Sequence, residues 1–252
     1  MNSLLILNAL KIDNSWSDFL SEEMVMMLQK IESQLADDIA LGQITPAINK
    51  VLRFMELPLQ DMKVIILGQD PYPQPGAATG RAFEVGNLKD WQEPFRNASL
   101  QNIIRTIVKA KTGELLKFSQ IRKQLNRNIH LASPTRLFCD LEEQGVLLLN
   151  TAFTCRIDEP ASHSAIWKEF TTSLLTYIND KHSDLVWLLW GNHAKMAVDH
   201  LKINNSVFSY HPSRCNPRKE DFLYGELNCF KETADLINWF GKSEYIGQFS
   251  IF

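Results

Sequence analysis

The sequence predicts an α/β fold, three layers α/β/α around a central, mainly parallel four-stranded sheet, in a single domain over residues 1–252. Three observations predict it. Short apolar runs recur at 64–67, 146–149 and 185–190, with an alternating run at 206–210. Continuous aliphatic runs of this length read as strands buried on both faces, as in parallel sheets. Amphipathic stretches separate the runs, the order that gives parallel strands with crossover helices. No composition break, repeat or Pro/Gly/Ser-rich linker divides the chain, which is 45% hydrophobic and long enough to bury a full core.

The elements follow in order. Residues Ser15 to about Leu41 read as a helix capped by Ser15, with Phe19, Met27, Leu28, Ile31 and Leu35 apolar. Thr45-Pro46 starts a second helix that carries Ile48, Val51, Leu52 and Met55 inward and ends before Pro58. The strand Val64-Ile65-Ile66-Leu67 then runs into Gly68-Gln69-Asp70-Pro71-Tyr72-Pro73, where Gly68 permits close approach and the two prolines stiffen the turn. Residues 74–80 form a Gly/Ala/Pro-rich loop, 82–85 a short extended piece and 91–97 a further loop. Ser99 caps a helix bearing Leu100, Ile103, Ile104 and Ile107, and a helix N-terminus suits phosphate.

Arg122, Lys123 and Arg127 form a basic stretch read as a solvated face. A helix over 135–144 is closed by Gly145, and the strand Val146 to Asn150 follows. A long helix places Ile166, Phe170, Leu174, Leu175 and Ile178 inward. The strand Leu185 to Trp190 leads into Gly191, which opens a helix to about Leu201. The strand Ser206 to Tyr210 runs into His211-Pro212-Ser213. Cys229 to Phe240 is a last helix, and the tail is unassigned.

Composition excludes several classes. The longest apolar runs fall far short of the roughly 20 residues a membrane span needs. The N-terminus lacks the leading charge and cleavage site of a secretory signal, so the chain is expected in the cytoplasm, or in the nucleus if eukaryotic or viral. Cys139, Cys155, Cys215 and Cys229 are scattered without a C-x-x-C pair, which points to reduced thiols and away from zinc. No metal and no organic cofactor is expected. A net charge of −3 offers no global attraction to nucleic acid, so DNA binding rests on a local positive surface.

Parallel strands deliver their C-terminal ends to one sheet edge. Asp70, Asn150, His211 and the Gly191 turn therefore face one crevice. A carboxylate, an amide and an imidazole converging there form a plausible active site, without naming its reaction.

These motifs resemble those of family-1 uracil-DNA glycosylases: Gly68-Gln69-Asp70-Pro71-Tyr72, then Gly80 and Phe83, Ser99 to Ile103, Gly145 to Asn150, Leu188 to Gly191, and His211-Pro212-Ser213. Order and spacing agree from about Trp16 to about Trp239. The resemblance implies extrusion of uracil from single- or double-stranded DNA and hydrolysis of its N-glycosidic bond. It implies that Asp70 aligns water and stabilises a cationic sugar, and that neutral His211 donates to uracil O2. Asn150 would read the N3–H and O4 edge, Phe83 would stack, Tyr72 would exclude the thymine methyl, and Gln69 would complete the pocket through its backbone. Ser99 and Ser213 would hold flanking phosphates. A monomer is expected.

The chain departs from the family pattern in places. Pro73 replaces a histidine. Arg214-Cys215-Asn216 replaces Pro-Leu-Ser, which puts the short Cys215 where a leucine wedge fills the gap left by the base, while Arg214 is free to stack or bind phosphate. Duplex substrates are therefore expected to be handled less well relative to single strands. Asn97-Ala98 replaces prolines, the stretch 91–95 is altered, and the loop 216–224 is longer, adding Arg218 and Lys219. Two other readings remain: a DNA-binding or scaffold protein of this fold with weak or no catalysis, and a glycosylase for another damaged base.

Overall fold

The computed structural model describes residues 4–242. Its main sheet has four strands, β2 (Val64–Gly68), β3 (Val146–Asn150), β5 (Val186–Trp190) and β6 (Asn205–Ser209), in the order β3-β2-β5-β6. All neighbours are parallel. A two-residue strand β1 (Ile44–Thr45) pairs antiparallel with β4 (Cys155–Arg156), a ladder too short to leave a sequence signal.

Side-chain alternation along the strands builds two cores. Ile65, Leu67, Leu147, Leu149, Trp187 and Leu189 face α2 (Glu22–Ala40) and α6 (Ser164–Lys181). Val64, Ile66, Val146, Leu148, Leu188 and Trp190 face α3 (Ala98–Thr112), α5 (Pro134–Glu143) and α8 (Cys229–Glu232). The expected three layers are present. Every residue of β2 is buried, which accounts for its unbroken aliphatic run. Each such side chain contributes about 1.5–3 kcal/mol of transfer free energy.

The chain passes from β2 to β3 on one side and then to β5 on the other. That reversal opens a crevice at the C-terminal ends of these strands, where open α/β sheets take ligands.

Several expected elements differ. α2 begins after Ser21, whose Oγ accepts from Met24 N at 3.4 Å, while Ser15 Oγ instead accepts from Leu59 N. The helix expected between Pro46 and Pro58 is instead two 3₁₀ turns at Ile48–Lys50 and Arg53–Glu56, with a third at Leu59–Asp61 beyond it. Its apolar i,i+3 spacing fits that geometry equally, and Val51, Leu52 and Met55 are buried as expected. Residues 82–85 are not extended: Phe83 has φ +66° and turns the chain.

Ser99 lies inside α3, which begins at Ala98 with Asn97 as its N-cap residue. The Asn97 side chain is engaged by Tyr72, so it does not cap. Arg122, on the short helix α4 (Phe118–Gln124), is not solvated either. It donates to the carbonyls of Trp91 and Glu93 and lies over the rings of Phe95 and Phe118. The helix after Gly191 is only Asn192–Ala197, here α7, and α8 gives way to turns after Glu232, although Ile237 and Trp239 are still buried. The unassigned tail from residue 243 lies outside the described residues.

Candidate active site

Two glycines make room for the site. Gly68 pairs with Asn150 across β2 and β3, and a Cβ at Gly68 would stand 2.3 Å from Asn150 Oδ1. Gly191 has φ +89°, and a Cβ there would meet His211 Cβ at 2.9 Å. Only glycine allows the amide and the imidazole to come this close to the strand ends. The resulting cleft has a volume of about 210 Å³. That is small beside the roughly 300–1,000 Å³ taken by drug-sized ligands. Gln69, Asp70, Tyr72, Phe83, Ser99, Asn150 and His211 all line it.

Asp70 is held by its backbone and by one hydrogen bond. Its Oδ2 accepts from Ala161 N at 2.7 Å, a donor 91 residues away on the β4–α6 loop. Pro73 O accepts from Asp158 N of the same loop at 3.0 Å. Burial raises the Asp70 pKa above 3.8, against the pull of the Ala161 N–H and of the nearby His193. One carboxylate oxygen is therefore fixed, and the other is left for a ligand or water.

His211 follows β6. Its Nδ1 accepts from Ser213 N at 3.2 Å and lies 2.8 Å from Ser213 Oγ. A backbone N–H can only donate, so the neutral ring carries its proton on Nε2. His211 is exposed at the cleft mouth, yet the wall removes enough water to lower its pKa from 6.5, and the charges of His193 and Arg214 lower it further. The imidazole is therefore neutral at pH 7.

Tyr72 packs against the second core, where burial pushes its phenol up to about 12 despite the bond to Asn97. The Phe83 ring stands 5.1 Å from Trp190 and 6.2 Å from His211. Gln69 points its side chain to solvent, while its carbonyl accepts from Ala152 N and Thr151 Oγ1, each at 2.9 Å.

The sequence model of the Uracil DNA glycosylase superfamily matches residues 54–235. A uracil-DNA glycosylase of Fusobacterium nucleatum is 31% identical over 93% of this chain and 95% of its own. That of Campylobacter lari is 33% identical over 75% of each chain. A mimivirus UNG variant, solved in complex with UGI, is 27% identical with a TM-score of 0.65, covering 82% of this chain and 72% of its own. The chain belongs to the uracil-DNA glycosylase superfamily. As a uracil-DNA glycosylase it hydrolyses the N-glycosidic bond of uracil in DNA, a base-excision repair activity.

Of the residues expected to meet DNA outside the base pocket, Ser99 lines the cleft and the other three lie beyond it. Ser213, Arg214 and Cys215 are not among its lining residues. Ser213 is engaged with His211, and Arg214 is exposed beside it. Cys215 is half-buried against the second core, its Sγ donating to Pro212 O at 3.3 Å, so its side chain does not project as a wedge.

Other residues at the site carried no local signal in the sequence. Ala161 is a plain loop residue until the fold brings it to Asp70. His193 Nε2 lies 2.7 Å from Thr151 Oγ1, which donates to Gln69 O. The hydroxyl's one proton is thereby used, so His193 donates to it and ties the first turn of α7 to the exit of β2. Among the described residues no cluster of three or more His, Cys, Asp or Glu is arranged to hold a metal, and no helix is long and apolar enough to cross a membrane.

Proposed function

We propose that this glycosylase divides its reaction among three side chains. Asp70 directs water to the anomeric carbon and stabilises positive charge on the sugar. His211 donates from Nε2 to uracil O2 as the base leaves as an anion. Asn150 reads the N3–H and O4 edge, so cytosine, with the reverse pattern there, leaves buried polar groups unpaired. Phe83 stacks on the base and Tyr72 stands against C5. Gln69 contributes backbone, and Ser99, Ser213 and Arg214 engage phosphates. Every group comes from one chain, which supports action as a monomer. Free thiols and a DNA substrate favour a cytoplasmic site of action, or a nuclear one.

The single observation that carries this reading is the convergence of Asp70, Asn150 and His211 on one small cleft cleared by Gly68 and Gly191. Release of free uracil from matched single- and double-stranded oligonucleotides tests it, with thymine and cytosine controls. Asp70→Asn is expected to slow release by about 10²–10⁴-fold. Tyr72→Ala is expected to admit thymine. With Cys215 packed inward, single strands are expected to be the better substrate, and Cys215→Leu to narrow the difference. Undiminished release by Asp70→Asn would overturn the assignment.

A further inference from the structure

The turn that carries Phe83 is closed by a buried quartet of charges that the chemistry above does not use. Arg81 Nη1 donates to Glu84 Oε2 at 2.9 Å, and its Nη2 to Glu142 Oε2 at 2.5 Å. Glu142 also takes both terminal nitrogens of Arg53. These four side chains are between 3% and 18% exposed, two cations against two carboxylates. Taking out one member of such a dry set leaves a charge uncompensated, so each contact is costly to break. Glu142 sits on α5 and Arg53 in the turns before β2. The quartet thus anchors residues 81–84 to two separate parts of the scaffold.

Phe83 lies between the partners of the Arg81–Glu84 pair, with φ +66°. A residue with a side chain persists in that left-handed region only where its surroundings fix it. On one side, Ala82 N donates to Leu148 O at 3.1 Å. On the other, Glu84 is held by Arg81. Arg81 also lines the cleft, but both terminal nitrogens point to carboxylates rather than into the cavity.

We infer that Arg81, acting through Glu84 and Glu142, is a positioning residue that fixes the Phe83 ring in its base-stacking orientation and so sets affinity for the base. The inference rests on the reading of Phe83 as the stacking residue. Free uracil, used as a competitive inhibitor, reports on the base pocket alone, and its Ki is a property of folded molecules, so partial unfolding does not move it.

Ki and the KM for a single-stranded uracil oligonucleotide are measured for Phe83→Ala, Arg81→Leu, Arg81→Lys and the double variant Arg81→Leu/Glu84→Ser. The double variant removes one charge of each sign, leaves Arg53 paired with Glu142, and keeps the fold within reach if Arg81→Leu fails to fold. Both constants are expected to rise roughly five- to tenfold in Arg81→Leu and in the double variant, as for a weakened stack, with kcat within about twofold. Arg81→Lys keeps the charge without the fork and is expected to restore part of the loss. A raised Ki in Phe83→Ala with an unchanged Ki in the folded Arg81 variants overturns the positioning role while leaving stacking intact. An unchanged Ki in Phe83→Ala overturns the stacking reading itself.

Discussion

At the scale of single residues, the environments of Asp70 and His211 push their pKa values toward each other, and the shape of the pH profile follows. In the proposed division of roles Asp70 acts as a carboxylate, and its pKa lies above 3.8 because burial disfavours the charge. In the same proposed division His211 acts as the neutral ring, and its pKa lies below 6.5 because burial and the charges of His193 and Arg214 disfavour protonation. Lowering the pH therefore removes activity twice: by protonating His211 at a value below 6.5, and by protonating Asp70 at a value above 3.8. The His211 step is expected below pH 6.5, and where both groups are being protonated the log of kcat/KM is expected to fall with a slope approaching two. Asp70→Asn, assayed on its residual activity, is expected to keep only the His211 step, with a slope of about one. A step assigned to His211 and centred above 6.5 would contradict its assignment.

At the scale of elements, the loop that supplies Ala161 to Asp70 is anchored by a buried histidine two residues further on. His163 Nε2 lies 3.0 Å from Asp38 Oδ2 on α2, and its Nδ1 lies 2.9 Å from Thr154 Oγ1. A carboxylate only accepts, so the neutral ring keeps its proton on Nε2, and the Thr154 hydroxyl donates to Nδ1 while accepting from Trp167 Nε1. Burial lowers the His163 pKa from 6.5, against the pull of Asp38. The unfolded chain then binds more protons than the folded one below pH 6.5, so stability is complete above that value and is lost as pH falls through it. The Tm is expected to drop between about pH 7 and about pH 5, and His163→Gln to lower Tm at neutral pH while flattening that drop. An equal pH slope in parent and variant would remove His163 from the account.

The same element shows what the sequence could and could not disclose. The strand runs were legible because each side chain of β2 and β3 obeys one local rule, burial on both faces. Asp70, Asn150 and His211 were legible as a set because parallel strands share an exit edge. Ala161, His193 and the Arg81–Glu142 pair were not, since their partners lie tens of residues away and leave no periodicity. Ser99 was misread as the cap for a related reason: a serine ahead of an apolar stripe reads as a cap by local rule, and only the fold shows the helix already under way at Ala98.

At the scale of the whole molecule, a net charge of −3 and a pI near 6.1 set a limit on how this glycosylase meets DNA. Long-range attraction is weak, and affinity has to come from a few cations near the cleft. Arg214 is exposed beside His211, and Arg218 is held over the Tyr210 ring at 3.5 Å and pairs loosely with Asp221 at 3.7 Å. Each phosphate these residues neutralise releases a counterion, so the logarithm of affinity falls linearly with the logarithm of salt, with a slope that counts the contacts. Two or three contacts imply a loss on the order of tenfold between about 50 and about 200 mM salt for a single-stranded uracil oligonucleotide. Arg214→Ala is expected to reduce the slope by about 0.7, one single-strand contact, while leaving the Ki of free uracil unchanged. Affinity measured by anisotropy across a salt series checks both values. A slope near zero would mean that the base pocket alone holds the DNA, and a slope unaltered by Arg214→Ala would move the phosphate contacts elsewhere on the surface.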